Sequence, residues 1–260
     1  MFVPTIIAAR NEAGHIGHTL EALARQAQRV EPIVVINSCT DRTADIAQSA
    51  GAIVLESPEG KMPALQEGLH YLGRRALEPL LILDADSRPF TRHWSRCLTH
   101  ELGNMPAEHP RIAWGPYIFL GDINPAMGLF FSATAMRVSW ADRHDSDPRA
   151  IRGGNTSIAL TKAPVLEEFL AMPNYWPRED VAIFDNIMQH EGVHKVIFHP
   201  DAWATTSGAR LATNIKRIIT KCQNPTKVYD ESYEREAPPG STPYIATHSK
   251  RLNKNPGASH

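Results

Sequence analysis

Short apolar runs alternate with amphipathic stretches over the first third of the chain. Val3 to Ala9, Ile33 to Ile36, Ala52 to Leu55 and Leu80 to Leu83 are largely apolar segments, the pattern of strands covered on both faces in a parallel sheet. Between them the period changes. Ile16, Leu20, Leu23 and Ala27 fall along one side of a helix, as do Met62, Leu65, Leu69 and Leu72, because residues three or four apart share a helical face. A further helix is predicted between these two, capped by Thr40 or Asp41 and stopped at Gly51. A short polar side chain accepts the first orphan N–H groups, and glycine readily takes the left-handed conformation that ends a helix. Strand and helix repeating in this way predict an α/β fold with an open, doubly wound, mostly parallel sheet and right-handed crossovers.

The second half is less regular. Pro, Gly and aromatic residues dominate from about 106 to 149, followed by Arg152-Gly153-Gly154-Asn155 and a strand expected from Thr156 to Leu160. Helices are expected near Ala163 to Ala171 and Val181 to His190, with an apolar run at Val196 to Phe198. The chain reads as one domain in two halves, 1–105 and 106–221, followed by a mobile tail over 222–260 that includes Pro238-Pro239-Gly240-Ser241.

Composition narrows the function classes. With 27 Lys+Arg against 28 Asp+Glu among 260 residues, the net charge of −1 excludes the wholesale basic character of a nucleic-acid-coating protein. Cys39, Cys97 and Cys222 are odd in number and far apart, leaving neither a disulfide framework nor a CxxC zinc pair. A reducing cytoplasm is the default location, and no apolar run approaches the roughly 18 to 20 residues that span a bilayer.

In an open α/β sheet, ligands collect beyond the carboxyl ends of the strands. Those ends are Ala8-Ala9-Arg10-Asn11-Glu12, Asn37-Ser38-Cys39-Thr40-Asp41, Ser57 to Lys61 and Asp84-Ala85-Asp86, all of them polar or charged. Asp84 and Asp86 form a DxD triplet directly after an apolar strand, whereas a second triplet, Asp145-Ser146-Asp147, sits in a loop context. Two hard oxygen ligands with open positions left over suit Mg²⁺ or Mn²⁺ bridging to a diphosphate. A turn merely capped by the two aspartates is the alternative. Lys61, opening a helix, offers a cation and a helix N-terminus to the same phosphates, and the Asn37 amide can pair with a base edge.

These four motifs, in this order and spacing, resemble the family 2 glycosyltransferases with the GT-A fold. The similarity is close over residues 3 to 95 and looser through Gly153-Gly154-Asn155 and Glu179-Asp180 to about Arg210. The resemblance implies transfer of a sugar from a UDP- or GDP-linked donor to a hydroxyl acceptor, with Mg²⁺ or Mn²⁺. It implies that Ala8, Arg10 and Glu12 line the nucleotide pocket, that Asn37 meets the base, that Lys61 approaches the diphosphate, that Asp84 meets the ribose or the metal and that Asp86 holds the metal. On the acceptor side, Gly154 and Asn155 would shape the cleft, with Glu179 beside it and Asp180 as catalytic base. The family commonly has Asp-Asp-Gly-Ser where this chain reads Ile36-Asn37-Ser38-Cys39, so a neutral amide replaces a carboxylate.

The chemistry agrees with the resemblance. Displacing a nucleoside diphosphate from an anomeric carbon requires charge neutralisation on the leaving group and a base at the acceptor hydroxyl. One base and one metal on opposite sides of the sugar give inversion, since retention by double displacement needs a second carboxylate as nucleophile. Glu179-Asp180 also reads as an acid-decorated helix start.

Two other readings remain: a sugar-phosphate nucleotidylyltransferase, whose glycine-rich phosphate cradle is missing from the first loop, and a catalytically silent nucleotide-sugar-binding protein. His199, at a strand end, is a candidate third metal ligand. The acceptor is expected to be a saccharide or a lipid-linked molecule. Leu211, Ile215, Ile218, Ile219 and Cys222 form an apolar stripe among Arg210, Lys216, Arg217 and Lys221. That stripe either packs on the core or lies on an anionic membrane at the inner face.

Overall fold

Ile6 and Ile7, adjacent in β1 (Val3–Ala9), are both fully buried, and each belongs to a separate apolar cluster. Consecutive strand residues point to opposite faces of a sheet, so a strand apolar at both positions requires a covering layer on each side. The computed structural model, which describes residues 2–103, 108–121, 123–130, 132–133, 155–175, 179–190, 197–208 and 237–242, supplies both layers.

β2 (Val30–Asn37), β3 (Ile53–Ser57) and β4 (Leu80–Ile82) join β1 in parallel, with Ile6 opposite both Ile33 and Ile82. A two-residue strand, β5 (Arg88–Pro89), follows. The second half contributes β6 (Arg111–Trp114), β7 (Tyr117–Phe119), β8 (Thr156–Ala159), β9 (Ile197–Phe198) and β10 (Ala204–Thr206). The main sheet has seven strands in the order β3-β2-β1-β4-β8-β6-β9. Only β8 runs against the others, antiparallel to both β4 and β6. The sheet therefore continues from one half of the chain into the other. A small second sheet, β5-β10-β7, stands beside it.

One face is covered by α3 (Lys61–Leu72), α5 (Ala163–Leu170) and α6 (Glu179–Met188), which bury Met62, Leu65, Leu69, Phe169, Ile183 and Ile187. The other is covered by α1 (Ile16–Ala24), α2 (Thr43–Ser49) and α4 (Trp94–Gly103), through Ile16, Leu20, Leu23, Ala47, Trp94 and Leu98. Each large side chain so buried contributes roughly 1.5–3 kcal/mol relative to exposure. Gly68 is where α3 comes nearest to β1: a Cβ there would lie 2.8 Å from Ile6 Cγ2.

Several boundaries differ from the sequence expectation for local reasons. α1 stops at Ala24, and Ala27 instead donates its N–H to Arg92 O at 2.7 Å, tying the helix exit to the segment before α4. β2 starts three residues early and passes through Pro32, which is tolerated because β3 pairs only from Ile33 onward. α2 begins at Thr43 with neither Thr40 nor Asp41 at its N-cap, although Asp41 still receives the Thr43 N–H at 3.0 Å. The helix expected from Val181 begins two residues earlier, at Glu179.

Of the segment 222–260, residues 237–242 are described. Residues 237–242 pack on the body, with Pro238 buried and Thr242 bridged to Tyr175. Ser241 N–H donates to Pro238 O at 3.0 Å with Gly240 at φ +72°, the arrangement that a Pro-Gly pair favours in a type II turn. That signal was present in the sequence. The stripe at 210–222 lies outside the described residues.

The close α3–β1 approach makes Gly68→Val destabilising by about 1–3 kcal/mol, since the added atoms overpack against Ile6. Urea unfolding measures it, and an unchanged midpoint would show that this contact is not tight.

Candidate functional site

The strand order reverses between β1 and β4, since β2 and β3 lie on one side of β1 while β4 and the later strands lie on the other. Such a reversal opens a crevice at the carboxyl ends of the two strands. The ends of β1, β2, β3 and β4 are the four polar loops.

Lys61 joins them. It is the first residue of α3, and its Nζ lies 2.9 Å from Asp84 Oδ1 and 3.8 Å from Glu179 Oε1. Glu179 is the first residue of α6 and is buried. Two helix starts, one from each half of the chain, therefore meet over the carboxylate that ends β4. The N-terminal end of a helix carries the positive end of its dipole, which favours anions.

Asp84 and Asp86 are oriented from the small sheet. Tyr117 Oη, on β7, donates to Asp84 Oδ2 at 3.3 Å, and Thr206 Oγ1, on β10, donates to Asp86 Oδ1 at 3.3 Å. Hydroxyl groups behind metal-binding carboxylates fix their direction and leave the other lone pairs for a ligand. Among the described residues no group of three His, Cys, Asp or Glu side chains is placed to hold a metal ion. Two carboxylates alone still fit Mg²⁺ or Mn²⁺, because these hard cations take one or two protein oxygens and complete their shell with water and substrate phosphate.

The loops after β1, β2 and β3 are knit together by hydrogen bonds and an ion pair. Arg10, just beyond β1, pairs with Glu59 at 2.5 Å. Glu12 N–H donates to Thr43 Oγ1 at 2.8 Å, and Ala13 N–H to Asp41 Oδ2 at 3.0 Å. Cys39 Sγ accepts the Asn11 N–H and donates to Ala9 O, each at 3.2 Å. Asn11 and Ser38 hold positive φ angles of 53° and 51°, conformations that polar residues at tight turns tolerate best. Burial opposes ionisation of Asp41, but the hydrogen bonds from the Thr43 hydroxyl, Ala13 N–H and Thr43 N–H outweigh it and hold the carboxyl below the ordinary range.

Several sequence candidates occupy positions that spacing did not foresee. Asn37 is buried, and its Oδ1 accepts the Gly60 N–H at 2.8 Å. Its acceptor atom thus holds the turn before Lys61, and its NH₂ end is a donor only. Ala8 lies within β1 and is partly buried beside the α3 cluster. Asn155 is almost fully buried: its Oδ1 accepts Trp94 Nε1–H at 2.6 Å, and its Nδ2 donates to Pro116 O and Ala202 O. That amide is a staple between α4 and the backbone leading into the small sheet. His199 Nδ1 accepts the Asp201 N–H at 3.2 Å. Gly153, Gly154 and the triplet Asp145-Ser146-Asp147 lie outside the described residues. Asp180 is the second residue of α6, and its side chain is likewise outside the described set.

Sequence reasoning missed Tyr117, Thr206 and Asn174. None has a local signature, because each reaches the site from an element that the topology brings in. Glu59 lies within the polar loop Ser57 to Lys61, but its pairing with Arg10 has no sequence signature. Asn174 Nδ2 donates to Glu59 O at 3.0 Å.

Residues 5–101 match the family model described as glycosyl transferase family 2. No curated protein sequence matches the chain. Among solved structures, mannosyl-3-phosphoglycerate synthase from Rubrobacter xylanophilus aligns with a TM-score of 0.52 and 16% identity, over 88% of this chain and 77% of that one. Glucosyl-3-phosphoglycerate synthase from Mycobacterium tuberculosis, in complex with Mn²⁺, UDP and glucosyl-3-phosphoglycerate, aligns with a TM-score of 0.55 and 14% identity, over 88% and 81%. A mannosyltransferase from Pyrobaculum calidifontis, in complex with GDP-mannose and Mn²⁺, aligns with a TM-score of 0.56 and 19% identity, over 83% of this chain and 59% of that one. The chain thus spans less than two thirds of that archaeal protein's length. At these identities the likeness concerns the fold, which is the GT-A fold. Among the described residues no helix is long and apolar enough to cross a membrane.

Because the folded pKa of Asp41 is depressed, its stabilising effect is present above the unfolded value and is lost as pH falls through the folded one. Asp41→Asn is therefore expected to lower the melting temperature at neutral pH, with the gap to wild type closing in acid. A gap that does not change with pH would contradict this account of the loop.

Proposed function

We propose that this chain, whose residues 5–101 match glycosyl transferase family 2, is a metal-dependent, inverting glycosyltransferase that moves a sugar from a UDP- or GDP-linked donor to an acceptor hydroxyl. The observation that carries the reading is the position of Lys61 at the start of α3, 2.9 Å from Asp84 and 3.8 Å from Glu179. A cation at a helix N-terminus, next to a pair of hard carboxylates in a switch-point crevice, suits a diphosphate better than any uncharged ligand.

Asp86, with Asp84, would hold Mn²⁺ or Mg²⁺, which when bound supplies charge neutralisation to the leaving diphosphate. The remaining work belongs to the chain's own groups. Phosphate oxygens entering at α3 compete with Asp84 for the Lys61 ammonium, releasing that carboxylate for the cation. Arg10 and Glu12 line the nucleotide, and the Asn37 NH₂ group donates toward a base carbonyl. Across the sugar, Asp180 takes the proton of the acceptor hydroxyl as its oxygen bonds to the anomeric carbon. The bond from that carbon to the diphosphate breaks with its electron pair leaving on the nucleotide. One displacement inverts the configuration. Solved structures of similar fold carry Mn²⁺ with UDP or GDP-mannose, which supports including both nucleotides in the tests.

Thermal shift with UDP, GDP, dTDP and CMP sugars, with and without Mn²⁺, is expected to single out a UDP or GDP donor and to depend on metal, because a ligand bound only by the native state raises its melting temperature. EDTA is expected to remove the shift. Asp86→Ala should abolish transfer while leaving the fold intact, and normal turnover in that variant would end the metal assignment.

Asp180→Asn should keep donor binding and lose transfer by about 10² or more. Undiminished transfer would exclude Asp180 as the base, and product NMR reads the anomeric configuration directly. Donor binding without either transfer or slow donor hydrolysis would instead identify a silent nucleotide-sugar-binding protein.

A further inference from the structure

The turn that carries Lys61 is tied to its surroundings by side-chain ion pairs, Glu59 with Arg10 and Lys61 with Asp84. Between them Gly60 has φ +131°, a conformation that other residues rarely adopt, so the turn's position depends also on what touches its backbone. Asn37 accepts the Gly60 N–H. The second contact comes from far along the chain: Asn174 Nδ2 donates to Glu59 O at 3.0 Å, and a Cβ added to Gly60 would lie 2.3 Å from Asn174 Oδ1.

Asn174 is held in its turn by the segment that follows the Pro238–Ser241 turn. Thr242 N–H donates to Asn174 O at 2.8 Å, and Thr242 and Tyr175 form a parallel bridge. Proline and glycine at the middle of the turn pre-set its backbone, which lowers the entropy lost when the segment docks. An unbroken chain of contacts therefore runs from Thr242 through Asn174 to Glu59 and Gly60, beside the residue that pairs with Asp84.

We propose that residues 237–242 form a latch which, acting through Asn174 as a positioning residue, sets the Glu59–Lys61 turn and with it the affinity for a nucleoside diphosphate. The affinity part rests on reading that turn as the diphosphate site. The mechanical part does not depend on it.

The test uses the full chain and two measurements: amide hydrogen exchange over residues 57–62 without ligand, and calorimetric binding of UDP and of GDP with Mn²⁺. Thr242→Pro removes the donating N–H, Thr242→Ala keeps it, and Asn174→Ala removes the contact to Glu59. Exchange over β2 serves as the control for global folding.

Thr242→Pro and Asn174→Ala are each expected to speed exchange at Gly60 and to weaken nucleotide binding, both by about fivefold, the factor corresponding to one net hydrogen bond. Thr242→Ala should do neither. Unchanged exchange in Thr242→Pro and Asn174→Ala overturns the latch whatever the protein binds. Faster exchange with undiminished nucleotide affinity overturns its link to the donor. Faster exchange in a protein whose wild type binds neither UDP nor GDP also overturns that link, and it places the failure in the reading of the site.

Discussion

The ion pair between Lys61 and Asp84 is the constraint around which the rest of the site is arranged. Both side chains are partly withdrawn from water, and a pair so placed loses much of its Coulomb gain to desolvation. It therefore adds little to stability. What it does is hold one cation against a local excess of negative charge, since Asp84 and Glu179 both lie within ion-pair distance of one lysine. In the proposed function, a divalent cation and a diphosphate would together meet that balance, each compensating the other.

Holding such groups in place falls to elements that carry no charge in the site. The small sheet aims one hydroxyl at each aspartate, through Tyr117 and Thr206 on adjacent strands. Asn155 fastens that sheet to Trp94 of α4 and to the backbone of Pro116 and Ala202. Asn37 and Asn174 grip the turn before Lys61. Each of these is a buried or partly buried polar group that makes at least one hydrogen bond within the protein, as the low dielectric of an interior favours. The site owes its geometry to amides and hydroxyls, and its chemistry to carboxylates and one amine.

The two halves of the chain contribute unequally. The first brings the crevice, the lysine and the aspartates on consecutive strand–helix units. The second brings the supports, the reversed strand β8 and the start of α6, and it extends the same sheet. Glu179 shows the consequence: placed by sequence pattern on the acceptor side, it lies within ion-pair distance of the donor-side lysine. The start of α6, from the second half of the chain, thus reaches the lysine contributed by the first.

The sequence by itself determined the four parallel strands at the start, the helices between them and the polar character of the loops at their carboxyl ends. Apolar runs and helical periodicity are local signals, and a parallel sheet turns them directly into a crevice. It also put Arg10, Asn37, Lys61, Asp84 and Asp86 near the carboxyl ends of those strands, because each lies at or shortly after a strand end or opens a helix. Only the tertiary structure decided that Asn37 spends its acceptor on Gly60, that Asn155 is a staple, that Tyr117 and Thr206 belong to the site, that Glu59 pairs with Arg10 and that the Pro238–Thr242 segment is docked. Those contacts join residues from about 20 to more than 100 positions apart, and their formation depends on how whole layers pack, which no local period encodes.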